Sequence, residues 1–319
     1  MLQQTKVNFV IKDQVIRYCM TNQPSLKGVL DYGEQFFANG IVEDGQIIDQ
    51  DAFQVVLQEL VAKKRWENKL LCFGVPDTSV VIRELLAPKD WRKEEIKNWI
   101  SNESQAHLCL PFANPVIDLA FIGEKKNKSK FLLFAYPKEQ IISYIESFSY
   151  AGLKPVVADI NALSLYRLYH QLTPGQKKEH LLSVQWGRDA VVLTIFHHHR
   201  PLLIRKLKLS VSNRFRKTDT EENEGAWTGN EQALEQMIEE ELVAIERLIE
   251  FYHQFMMQKR QQITKILLTG DFPCQIEIKR LMEKRWGLFI ETLANFHDQF
   301  DFSPKYADVL GLSLKKSHF

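Results

Sequence analysis

The chain has 319 residues, 41 Lys and Arg against 40 Asp and Glu, and 45% apolar residues. At about 150 residues per domain, this length predicts two domains, each able to bury a core. The balanced charge argues against a nucleic-acid partner, and the apolar content argues against a disordered chain. The longest uncharged apolar run, 131–137, has seven residues against the ~20 of a membrane span.

The first thirty-five residues read as strands. Segments 5–11 and 14–21 are short and apolar around Lys12-Asp13, which suits a tight hairpin, and 26–36 suits a third strand. Asp49 can cap a helix whose apolar positions Phe53, Val56, Leu57, Leu60 and Val61 recur at helical spacing. Residues 70–75 form a short apolar run ended by Pro76, as in a buried strand, and 80–86 reads as another strand. A helix is expected over 90–105, with Ile96, Trp99 and Ile100 on one side, and strand character resumes over 116–122. Phe131 to Ala135 opens a strand–helix–strand unit, with Pro137 suited to the first helical position and Gly152 to the C-cap.

The loop 173–179 is the best domain boundary. After it come three strands, 181–186, 190–196 and 201–209, so the second half opens as the first does. Segment 211–228 reads as a mobile polar loop, and Thr228 with Glu231 fits a capping box before a long apolar-striped helix. A strand over 263–269, a turn at Gly270-Asp271 and a helix over 277–286 complete the pattern.

Few residues invite chemistry. Cys19, Cys72, Cys109 and Cys274 are far apart without a CxxC pair, so they read as buried free thiols rather than metal ligands or disulfides. His197-His-His199 falls between two strands, where adjacent imidazoles do not converge on one ion; a hairpin tip is expected and no metal. The basic run 125–130 reads as a solvated hairpin tip. Trp91 and Trp99 suit core packing, or part of a peptide groove. The start Met1-Leu-Gln-Gln-Thr-Lys lacks a signal-peptide layout, so a cytoplasmic chain is expected.

Several strings carry a resemblance: Gly40-Ile-Val-Glu-Asp-Gly-Gln-Ile-Ile-Asp49, Phe73-Gly-Val-Pro76, Val80-Val-Ile-Arg83, the 99–118 stretch with Glu103, Gln105, Pro111-Phe112 and Asp118, then Ala135-Tyr-Pro-Lys-Glu139, Ala151-Gly-Leu-Lys-Pro155 and Tyr306-Ala-Asp-Val-Leu-Gly-Leu312. In order and spacing the sequence resembles the PilM family of type IV pilus assembly proteins, actin-like relatives of the division protein FtsA. The resemblance implies an α/β, actin-like fold of two ribonuclease H-like halves with an FtsA-type 1C subdomain and a reduced 2B. The expected subdomains are 1A over 1–80 and 129–175, 1C over 81–128, 2A over 176–212 and 263–319, and 2B over 213–262.

The resemblance also implies a scaffold role at the cytoplasmic face of the membrane. The implied partners are a PilN-like single-span membrane protein, bound by its N-terminal cytoplasmic tail between 1A and 1C, and other components of a pilus or competence-type machine. From position, Val80, Ile82, Trp99, Ile100, Leu110, Pro111 and Phe112 are the candidate groove residues. The chain would then reach the membrane through this tail, with no direct insertion.

The resemblance implies ATP and Mg²⁺ between two glycine-containing hairpins, whose backbone N–H groups cradle phosphate. This sequence departs there. The first loop, Val10-Ile-Lys-Asp-Gln-Val15, has no glycine, serine or threonine, leaving Lys12 and Asp13. The second keeps Gly187 but has Gln185 for the acid and a bulky Trp186; the third keeps Gly270 and Asp271. Loss of two or three charge-assisted bonds, about 1.5–3 kcal/mol each, would weaken ATP by orders of magnitude. A pseudo-ATPase without a cofactor is therefore expected. The rival is an active actin-like ATPase with displaced contacts. An FtsA-like protein would need a membrane helix after Gly311, for which the tail is short; a sugar kinase would need the missing cradle.

Overall fold

The computed structural model describes residues 5–102, 108, 110–173, 178–209, 231–293 and 302–316. Contacts divide the chain into two compact units, Met1–Arg167 with Asp308–Phe319, and Leu168–Ala307.

In the first unit, β1 (Lys6–Ile11) turns into β2 (Val15–Thr21), then β3 (Val29–Phe36). The short pair β4 (Val42–Glu43) and β5 (Gln46–Ile47) leads to α1 (Gln50–Lys64) and β6 (Leu70–Val75). Next come β7 (Val81–Pro88), α2 (Lys93–Asn102), β8 (Pro115–Lys125), β9 (Lys128–Pro137), α3 (Lys138–Tyr150), β10 (Lys154–Ile160) and α4 (Asn161–Leu172). The main sheet has the order β10-β6-β1-β2-β3. β1–β2–β3 is an antiparallel meander, while β6 and β10 are added in parallel. Every residue of β1 is buried, as a central strand covered on both faces requires.

Helix α1 starts where expected: the Asp49 carboxylate accepts the Ala52 N–H at 2.9 Å, and Phe53, Leu57, Leu60 and Val61 are buried. These side chains meet Phe9, Phe73, Tyr144 and Phe148 in one core, with Phe73 and Phe148 rings 5.1 Å apart. Pro137 is the N-cap of α3 rather than its first helical residue, because β9 runs straight into the helix. Gly152 follows the C-cap at φ +85, the left-handed conformation that a helix end favours.

A second, smaller sheet of order β7-β9-β8 is antiparallel throughout. The tip joining β8 to β9 has φ of +50 and +60 at Lys126 and Asn127, a two-residue turn of the I′ kind. One sheet face, with Leu85, Leu119, Phe131 and Leu133, packs beneath Ile96 and Ile100 of α2 as its own small core.

The second unit contains β11 (His180–Trp186), β12 (Ala190–His197), β13 (Arg200–Lys208), α5 (Glu231–Phe251), β14 (Lys265–Gly270), α6 (Gln275–Trp286) and β15 (Phe289–Thr292). Its sheet order, β13-β12-β11-β14-β15, repeats the first: an antiparallel meander plus two parallel strands. The triple histidine forms the β12–β13 tip, with φ of +52 and +60 at His198 and His199. The loop expected over 211–228, Thr228, Cys109, Glu103, Gln105 and Pro174-Gly175 lie outside the described residues.

The C-terminal helix α7 (Ala307–Ser313) packs with the first unit. Residues from Asp308 onward belong to the first unit. Lys12 Nζ lies 3.2 Å from Asp308 Oδ2, and Lys6 Nζ donates to the Lys315 carbonyl at 2.9 Å. Gly311 approaches the Ser164 carbonyl so closely that a Cβ would come within 1.9 Å of it. The other division between the units falls within α4, between Arg167 and Leu168. Among the described residues, no helix is long and apolar enough to cross a membrane.

Candidate functional site

The candidate groove residues do not form one surface. Trp99, Ile100, Leu110 and Phe112 share the small core under α2, where Ile100 is fully buried and Trp99 and Phe112 are half-buried. Trp91 and Trp99 meet edge-to-face with centroids 5.8 Å apart, the packing reading of that pair. Val80 packs into the main core of the first unit instead. Ile82 is buried opposite Phe134, on the sheet face away from α2, because side chains alternate along β7. Pro111 is exposed in a bend.

The segment after Phe112 is tied to the start of α3. The Lys138 N–H donates to the Asn114 carbonyl at 3.0 Å, and the Asn114 side-chain amide donates to Glu139 Oε1 at 3.0 Å. Phe112 therefore sits beside the place where the small sheet joins the main one. A second link lies deeper. Asp77 is buried and accepts the Ala162 N–H at 3.0 Å, satisfying a donor at the start of α4. Burial first, then the neighbouring Asp77 carboxylate, pushes the Tyr136 phenol well above its ordinary value. A Cβ at Gly74 would come within 1.7 Å of Asn161 Oδ1, so the Asn161 side chain lies directly over β6 there. Asn114, Asp77 and Asn161 carry no site signal of their own in the sequence, and Glu139 stands out only as the end of the Ala135-Tyr-Pro-Lys-Glu139 string. Asn114-Pro115 and Pro76-Asp77 are turn signals, but no spacing announces what they bond.

The residues at the implied phosphate loops have partners within their own units. In the β1–β2 turn, the Lys12 N–H donates to the Val15 carbonyl at 2.9 Å, and the Lys12 ammonium is paired with Asp308, whose carboxylate is 1% exposed. Asp13 Oδ1 accepts the Gly45 N–H at 3.1 Å.

In the second unit, Gln185 is buried within β11, and the Gly187 N–H donates to the Ala190 carbonyl at 2.9 Å. Trp186 is fully buried with Phe272 beside it, centroids 6.1 Å apart. The Trp186 carbonyl accepts from the Phe272 N–H at 3.1 Å and the Gln275 amide at 3.3 Å. Gly270 has φ +116, and a Cβ there would lie 2.0 Å from the Trp186 carbonyl oxygen. Its glycine is thus explained by strand-end packing. Asp271 is nearly buried, with Oδ2 4.0 Å from Arg188 Nε.

Cys19 and Cys72 are buried free thiols as expected, and burial pushes Cys19 up to about 12, whereas Cys274 is a free thiol only half-buried. Among the described residues, no group of three or more His, Cys, Asp or Glu is arranged to hold a metal ion.

With the geometry in view, comparison with known proteins is informative. The family described as type IV pilus assembly protein PilM matches residues 28–310. The chain belongs to this family. Among solved structures, a chain of a "PilM-PilN type IV pilus biogenesis complex" superposes with a TM-score of 0.75 at 17% identity, covering 97% of both chains. The ethanolamine utilization protein EutJ from Carboxydothermus hydrogenoformans gives 0.50 at 12% identity, covering 97% of this chain and 89% of that one. MreB5 of Spiroplasma citri bound to ADP gives 0.51 at 10% identity, covering 98% and 95%. No curated protein sequence matches the chain. This PilM family member therefore has the actin-like α/β fold expected from its strand order. The repeated sheet topology of its two units is the internal signature of that fold.

Proposed function

We propose that this family member is a scaffold that binds the N-terminal cytoplasmic tail of a PilN-like membrane protein and is held at the cytoplasmic membrane through it. The observation that carries this reading is the family match over residues 28–310. The small sheet with α2 is assigned as the 1C subdomain, and α5 with the turn that follows it to the reduced 2B. The tail would lie where Asn114 and Glu139 join 1C to 1A, with Phe112 and Leu110 offering apolar contact and an exposed strand edge offering backbone pairing.

The proposal includes a nucleotide site that no longer holds Mg-ATP. The residues present do not fit that group. The Lys12 and Gly187 N–H groups are spent on internal carbonyls, and Asp308 and Asp271 each face a cation of the protein itself. A phosphate cradle needs such donors free, and Mg²⁺ needs acids that are not already paired.

Two titrations of the full chain test the reading. A fluorescent peptide carrying the partner's cytoplasmic tail should bind, and Phe112→Asp should weaken it at least about tenfold, the weight of one buried aromatic anchor. Undiminished binding to a folded Phe112→Asp protein would sink the groove assignment. Calorimetry with Mg-ATP should show no micromolar affinity; a micromolar isotherm would favour the rival, an actin-like ATPase with displaced contacts.

A further inference from the structure

The end of α5 presents a surface that neither the partner groove nor the core explains. The α-helix Glu231–Phe251 passes into a π-helical turn, Tyr252–Met256. The wider turn splits the aromatic residues between inside and outside. Tyr252 is fully buried, and its hydroxyl is hydrogen-bonded to Nδ1 of His180, which stacks on His197 with centroids 3.8 Å apart. Phe251 and Phe255 point outward, 45% and 74% exposed, with their rings stacked at 5.5 Å. A phenylalanine exposed to that degree sits on a projection rather than in a groove. Single-turn π segments are uncommon and recur at functional sites.

The tip is also preformed. The Met257 N–H donates to the Tyr252 carbonyl, Lys259 to His253 and Arg260 to Met257, at 2.8–2.9 Å. Gln258 and Lys259 take left-handed φ of +50 and +63, which turns the chain sharply after the aromatics. Little backbone ordering would be lost on binding.

Charge is unevenly paired along this element. Toward the middle of α5, Glu239 and Glu246 are held by Arg285 at 2.7 and 3.1 Å. Arg247, one turn before Phe251, and Lys259 and Arg260 at the tip are exposed and form no ion pair among the described residues, with Glu250 the neighbouring acid. Arg247, Phe251 and Phe255 follow one another at four-residue spacing, so cation and rings share a side of the helix. Exposed aromatic rings flanked by unpaired cations match the interface of an anionic bilayer, where rings settle at headgroup depth and cations meet phosphate.

We propose that the α5 tip is a contact for an anionic lipid surface: Phe251 and Phe255 enter the interface while Arg247, Lys259 and Arg260 meet lipid phosphates. The contact lies outside the partner groove and needs no protein partner, so the two readings stand or fall separately. It would add a direct lipid contact to a chain expected from sequence to reach the membrane only through a partner.

Co-sedimentation of the full chain with protein-free vesicles tests it. Vesicles of equal parts phosphatidylglycerol and phosphatidylcholine should pull the protein down at low salt, less so as salt rises, while pure phosphatidylcholine should not. Phe251→Ser with Phe255→Ser, and separately Lys259→Glu with Arg260→Glu, should each lower binding at least about tenfold. Both pairs are surface changes, and an unchanged thermal midpoint verifies the fold. Lys126→Glu with Lys128→Glu, at the other basic tip, should leave binding intact. The proposal is overturned if the wild type does not bind the anionic vesicles or binds neutral ones equally. It is equally overturned if either tip pair leaves binding unchanged, or if the Lys126/Lys128 pair abolishes it.

Discussion

The two units share one sheet and differ in what connects it. In the first, β3 returns through α1 to β6, and in the second, β13 returns through α5 to β14. The next crossover separates them. Between β6 and β10 lies an entire three-stranded sheet with its own core, whereas α6 alone joins β14 to β15. The sheets stay alike around their central strands, β1 and β11, which are buried throughout, so order and register there have little room to change. The crossovers run over the surface, where added chain costs little, and there the family has room for a partner site.

The turns at the strand ends sharpen the contrast. The first unit closes its β1–β2 turn with an ion pair to a buried carboxylate, Lys12 to Asp308. The second closes the ends of β11 and β14 by packing, Gly270 against the Trp186 backbone. Breaking the packed end should have the largest effect. Gly270→Ala places a Cβ 2.0 Å from a carbonyl oxygen at φ +116, and should destabilise by about 4 kcal/mol in urea unfolding. A loss below about 1 kcal/mol would mean that the strand ends can part. Breaking the charged end comes next. Lys12→Met removes the ammonium 3.2 Å from the buried Asp308 carboxylate and should cost about 3 kcal/mol, most of it recovered by adding Asp308→Asn. The corresponding pair in the second unit is longer, at 4.0 Å, and Arg188 is 24% exposed. Arg188→Met should therefore cost only about 1 kcal/mol, and a larger loss than for Lys12→Met would reverse the comparison.

The smallest effect is one of pH and belongs to the second unit. Burial, then the nearby His197 and His198, pulls the His180 pKa below 6.5. Tyr252, Gln261, Glu179, Thr264 and Lys265 also surround this end of β11. The unfolded chain binds the proton more readily, so stability is full above about pH 6.5 and declines as pH falls below it. Thermal midpoints of wild type and His180→Gln should converge on acidification; a gap that widened instead would contradict the buried neutral imidazole.

Much of the fold was legible because it rests on local periodicity. The apolar spacing of Phe53, Leu57, Leu60 and Val61 and the Asp49 cap specify α1 before any tertiary contact exists. The His198-His199 and Lys126-Asn127 tips were legible as hairpins because short polar interruptions between strands have few other solutions. The candidate groove was less legible. Trp99, Ile100, Leu110 and Phe112 came together, but Val80 and Ile82 faced other layers, since a one-residue step along a strand reverses the side. Asn114 and Asp77 were invisible because each acts through a bond to a residue more than twenty positions away.

By itself the sequence determined the main elements and the repeated opening meanders, which follow from residue type and spacing, and its resemblance pointed to the family. Only the tertiary structure decided where α7 belongs, which cation neutralises Asp308, and that Gly270 serves strand packing. It also decided that the end of α5 turns one aromatic inward and leaves two outside. These depend on long-range partners and on backbone angles, and a linear pattern encodes neither.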